Sequence, residues 1–114
     1  MTLQIVVFRA TLSDASVLET HVGMVREMRD LAEEIDGFVE WRDSMDGLTY
    51  WGYVLFESEA GAMAWKQDPR HVQIHQKGER AVYSEFATHV FASVRDASWR
   101  RDPNATKGGS GGES

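Results

Sequence analysis

The chain has no cysteine. That excludes disulfides, iron–sulfur clusters, zinc–thiolate sites and thiol nucleophiles. It has no excess of positive charge either: the formal net charge is -6 over 114 residues. Nucleic-acid recognition needs a basic stripe that displaces counterions, so neither nucleic acid nor an anionic membrane is an expected partner. No apolar run approaches the ~20 residues that cross a bilayer. No basic start leads into an apolar segment, so no secretion signal is expected and a cytoplasmic location is the default. There is no phosphate-cradling glycine loop between a strand and a helix, no nucleophile elbow and no internal repeat. Proline is scarce, limited to Pro69 and Pro103. What remains is 42% hydrophobic, enough for one domain with a real core.

Leu3 to Ala10 reads as a first strand, rich in β-branched residues and apolar on both faces. Ser16 and Glu19 fit a capping box. The helix that follows runs to about Asp36, with Leu18, Val22, Val25, Met28, Ala32 and Ile35 as one apolar stripe. Gly37 is its expected left-handed stop. Phe38 to Met45 and Leu48 to Glu57 form a hairpin around Asp46-Gly47. That turn predicts Asp43 opposite Tyr50, Trp41 opposite Gly52, Val39 opposite Val54 and Phe38 opposite Leu55. Ser58 caps a short helix, which Asp68-Pro69 stops. Pro69 opens another helix through Lys77, with Gly78 as its expected C-terminal cap. Residues from about Ala81 to Arg95 supply the last strand. A domain over residues 1–100 is followed by a polar, Gly/Ser-rich tail over 101–114.

The order is β-α-β-β-α-β, an α+β ferredoxin-like domain with a four-stranded antiparallel sheet. The helices cover only one face of such a sheet, yet strands one, three and four are apolar on both. A second copy is the economical cover, so a homodimer with its two sheets face to face is expected.

The sequence resembles the antibiotic biosynthesis monooxygenase (ABM) domain family of the dimeric α+β barrel superfamily. The resemblance covers roughly residues 3–95. It rests on Gly37-Phe38, Phe56-Glu57-Ser58-Glu59-Ala60, Ala64-Trp65-Lys66, Pro69-Arg70-His71, Gly78 and Tyr83. It implies a homodimeric α+β barrel. Some members of the family oxidise aromatic phenols to quinones with oxygen and no cofactor, while others bind and cleave haem. Trp65 matches a pocket tryptophan of both branches. His75 lies ten residues later, the spacing of the haem-ligating histidine. The haem enzymes carry an asparagine in the first strand where this chain has Phe8, and no asparagine precedes Asn104.

The reading that follows is a cofactor-independent monooxygenase acting on a small aromatic ligand. His75 and His21 are the candidate bases, because a neutral imidazole accepts protons near pH 7. Trp65, Trp41, Tyr50, Phe8 and His71 are the candidate substrate-binding residues. No cofactor is expected. The alternatives are a haem protein with His75 as ligand and a dimeric ligand-binding module without catalysis. His71 and His75 share a helix face at i and i+4. That spacing suits a metal, but two histidines are a weak signal without a carboxylate that closes the set.

Overall fold

A computed structural model describes residues 2–104; most of the expected Gly/Ser-rich tail, from residue 105, lies outside the described residues. Four strands form one antiparallel sheet in the order β2-β3-β1-β4. They are β1 (Gln4–Leu12), β2 (Phe38–Asp46), β3 (Thr49–Phe56) and β4 (Tyr83–Ala92). Helix α1 (Leu18–Glu34) follows β1, and helices α2 (Glu59–Gln67) and α3 (Pro69–Ala81) lie between β3 and β4. This is the expected ferredoxin-like α+β architecture. No helix among the described residues is long and apolar enough to cross a membrane.

Several local expectations are corrected. Asp14, not Ser16, provides the first cap: its side chain accepts from the Ser16 N–H and opens a turn of 3-10 helix over Ala15–Val17 before α1. The buried stripe of α1 is rotated to His21, Met24, Leu31 and Ala32, leaving Leu18 and Val22 exposed. A histidine displaces aliphatic residues from the core because its ring finds a partner there, as described below. Helix α3 runs past Gly78 to Ala81, and Val82 is its cap. Gly78 serves packing instead: a Cβ there would lie 2.8 Å from the Tyr83 ring.

The hairpin register also differs. Asp46 pairs with Thr49, so the two-residue loop is Gly47-Leu48, with Gly47 at φ +62°. Glycine takes the first loop position, not the second, and the pairings from Glu40 to the turn slide by two residues. Asp43 therefore faces Gly52, and Trp41 faces Val54. A shift of two keeps each side chain on its predicted face. An irregularity between Phe38 and Glu40 then puts Phe38 opposite Phe56, so Val39 is the extra residue of a bulge and is exposed. Gly52 is the close-approach point of the hairpin. A Cβ there would collide with the Arg42 carbonyl oxygen and would lie 2.8 Å from the Asp43 Cβ.

The core lies between the sheet and the helices. Val6, Phe8 and Ala10 of β1 and Tyr50, Val54 and Phe56 of β3 form its floor. At the far end of β1, Leu3 donates to the Ser93 hydroxyl (2.9 Å) and its carbonyl accepts from the Ser93 N–H (2.8 Å), tying the two outer ends of the sheet's chain together.

Candidate active site

A cavity of about 200 Å3 lies over the middle of the sheet, beneath the three helices. Its floor comes from β1 by simple alternation: Val6, Phe8 and Ala10 are buried under the helices while Val7 and Arg9 are exposed, although part of Arg9 still reaches the cavity wall. The Phe8 ring packs on Trp41 at 5.1 Å and on Tyr50 at 5.7 Å. Trp65 is aimed inward because Ser58 caps α2 and Asp68-Pro69 ends it, which fixes the length and phase of a nine-residue helix. Its Nε1 donates to the Met28 carbonyl of α1 at 3.0 Å. The indole is thus pinned, with its ring edge-on to Trp41 at 5.9 Å.

Helix α3 supplies the titratable wall. Asp68 caps it by accepting from the Arg70 N–H, and Pro69 fits its first turn. His71, His75 and Glu79 follow at four-residue steps and all line the cavity. His71 is buried, with only 9% of its surface exposed, and lies 4.4 Å edge-on from the Trp65 ring. Burial, reinforced by the neighbouring His75 charge, pushes its pKa down to about 4, so it is neutral at pH 7. The His75 Nδ1 is 3.3 Å from Glu79 Oε1, and its ring stands edge-on to Phe86 at 4.5 Å. With a proton on Nδ1 the carboxylate fixes the tautomer and leaves Nε2 as the acceptor.

A second polar group stands at the α1 end. The Asp43 carboxylate accepts from the Tyr50 hydroxyl (2.8 Å) and from Trp41 Nε1 (3.1 Å). Asp43 itself is exposed, so a carboxylate at the surface satisfies two buried aromatic donors. Burial, then the hydrogen bond to Asp43, pushes the Tyr50 phenol far up, and it stays protonated. His21 is 2% exposed and sits between Tyr50 and Tyr83, with Nδ1 2.7 Å from the Tyr83 oxygen. Burial lowers its pKa, while the Asp43 charge opposes the shift.

The structure therefore gathers Trp65, Trp41, Tyr50, Phe8, His71 and His75 around one cavity. His21 is not among the lining residues; it stands behind Tyr83. Glu79, Phe86 and Tyr83 are among the further liners that the candidate site residues leave out. Glu79 is signalled by its i+4 spacing from His75, Phe86 by its strand alternation, and Tyr83 by its place at the start of a strand and in the family resemblance. Among the described residues no group of three or more His, Asp or Glu side chains is arranged to hold a metal ion.

No family model matches the sequence. No curated protein matches it. Solved structures do match. A candidate antibiotic biosynthesis monooxygenase from Nitrosomonas europaea aligns with a TM-score of 0.69 at 9% identity, over 81% of this chain and 90% of its own. SnoaB, a cofactor-independent oxygenase from Streptomyces nogalater, aligns at 0.70 and 13% identity, over 85% and 97% of the two chains. A protein from Mycobacterium tuberculosis aligns at 0.72 and 15% identity, over 84% and 99%. The chain thus has the fold of the antibiotic biosynthesis monooxygenase-like proteins.

Proposed function

We propose that the protein is a cofactor-independent monooxygenase that oxidises a small phenolic aromatic with molecular oxygen. The observation that carries this reading is the cavity itself: an apolar slot walled by Phe8, Trp41 and Trp65, with two histidines on one side. Flat aromatic walls favour a flat aromatic ligand. The likeness in fold to SnoaB, an oxygenase that uses no cofactor, supports the same choice.

In this reading His75 Nε2 takes the phenolic proton, with Glu79 holding Nδ1–H. A phenolate is far more electron-rich than its phenol and passes an electron to oxygen. Overall the ring C–H para to the hydroxyl is replaced by C=O, the phenol becomes a quinone, and oxygen supplies one atom to the ring and one to water. The protein contributes desolvation, orientation and one base. His71 remains neutral and offers a hydrogen bond without a charge. His21 meets the cavity through Tyr83.

The haem reading fits these residues less well. The cavity of about 200 Å3 is below the ~300–1,000 Å3 of drug-sized sites. Phe86 also crowds His75 at 4.5 Å. A homodimer belongs to the proposal, with a second copy covering the open sheet face where Trp51 and Phe91 are 52% and 55% exposed.

The test is oxygen uptake with a panel of naphthols and anthrones. Turnover is expected for at least one of them. His75→Ala lowers kcat about 100-fold, the lower end for loss of a positioned base. Trp65→Ala raises KM about tenfold. A panel that binds without oxygen uptake overturns the enzyme and leaves a ligand-binding module.

A further inference from the structure

Three of the polar groups around the cavity are already committed. The Tyr50 hydroxyl and Trp41 Nε1 both donate to Asp43, and Trp65 Nε1 donates to a backbone carbonyl. Tyr83 is different. It lines the cavity, and the partner of its hydroxyl is a histidine, not a carboxylate. His21 and Tyr83 are 2.7 Å apart and each is both donor and acceptor when neutral. If His21 Nδ1 carries the proton, it donates to the Tyr83 oxygen and frees the tyrosine hydrogen. If Nε2 carries it, Tyr83 donates to Nδ1 and keeps lone pairs free. The pair therefore presents either a donor or an acceptor.

Burial pushes the Tyr83 phenol up to about 12, so it keeps its proton at neutral pH. The surrounding structure also holds this ring in place. Gly78 of α3 leaves room for it, since a Cβ would come within 2.8 Å, and Met24 of α1 closes in on the same spot at 3.3 Å. His21 is wedged in turn against Tyr50 at 4.6 Å between ring centroids.

We infer that Tyr83, held by His21, is the hydrogen-bonding anchor for a ring oxygen of the ligand, and that the ligand class is a neutral aromatic carrying a hydroxyl or carbonyl. This rests on the proposed reading of the same cavity. It extends that reading by giving the ligand an orientation: its oxygen lies at the Tyr83 end and its rings against Trp41 and Trp65. An anchor that both donates and accepts holds a phenol and the carbonyl product equally well.

The experiment is a binding titration that needs no turnover. 2-Naphthol and naphthalene are titrated against tryptophan fluorescence, since Trp41 and Trp65 both line the cavity. The full chain is expected to bind 2-naphthol more tightly. Tyr83→Phe lowers that affinity about three- to tenfold, the range for one neutral hydrogen bond, and leaves naphthalene unchanged. Gly78→Ala displaces the ring with the hydroxyl still present, and also abolishes the preference; it serves as well if Tyr83→Phe does not fold. The inference is overturned if the protein shows no preference for 2-naphthol. It is equally overturned if Tyr83→Phe, or Gly78→Ala in its place, weakens both probes alike or neither. A retained naphthol preference without oxygen uptake removes the oxidation and keeps the anchor.

Discussion

On the helix-facing side of the sheet, Phe56 and Val54 have no exposed surface; on the other side, Trp51 and Phe91 keep more than half of theirs. The polar groups differ as sharply. Under the helices, the Tyr50 hydroxyl and Trp41 Nε1 share one carboxylate, and His21 is matched to Tyr83. On the open face, Tyr53 donates to Glu40 at 2.6 Å, and Arg42 and Glu40 form a loose ion pair at 3.8 Å. One side of the sheet is complete within a single chain. The other carries large rings in a row that the described residues leave exposed, the face that the proposed second copy would cover.

The largest expected effect probes the complete side. Phe56→Ala removes a ring packed on Trp65 and Phe38, and costs about 3–5 kcal/mol in urea unfolding. Phe91→Ala in the same assay changes stability by less than about 0.5 kcal/mol at a dilution where the chain is monomeric. A comparable loss from both substitutions would erase the contrast between the faces.

Next comes pH. His71 titrates near 4 in the folded chain and near 6.5 when unfolded. The unfolded state therefore binds more protons between these values. The stabilisation is fully present above pH 6.5 and is lost as pH falls toward 4, by about 3 kcal/mol in all. His21 acts in the same direction. Urea midpoints at pH 7, 6 and 5 should fall steadily, and His71→Gln should flatten the slope.

A smaller effect separates the two carboxylates. Asp43→Ala leaves two buried donors to find water at the rim, at a cost of about 1 kcal/mol. Glu40→Ala on the open face costs about 0–0.5 kcal/mol, because its partners stay solvated. If sedimentation shows a dimer, Trp51→Lys should dissociate it, while Asp43→Ala should not. A monomer at every concentration would leave the open face without its proposed partner.

The architecture was legible in the sequence because alternation and helical periodicity are local signals. Trp41, Asp43 and Tyr50 were placed on one face, and the α2–α3 break at Asp68-Pro69 was read directly. What escaped was whatever depends on distant partners. Nothing near Val39 announces a bulge; the irregularity is set by pairing with β3, and it carries Phe38 to the core side. Gly78 looked like a helix stop, yet its missing Cβ answers to the Tyr83 ring. A histidine on or beside the apolar stripe, as His21 is, is most simply a hydrogen-bonded core residue; no local signal gives its partner, Tyr83, 62 residues away along the chain.

The tie between Leu3 and Ser93 has a topological consequence. Where β1 and β4 meet, the start and the end of the ordered sheet are hydrogen-bonded neighbours. A short linker joining these points would leave every strand pairing intact, so the chain should tolerate being reopened at the exposed Gly47-Leu48 loop. Such a permuted molecule would keep the same cavity while making the β2–β3 contact the last link to close, and not one made by adjacent residues.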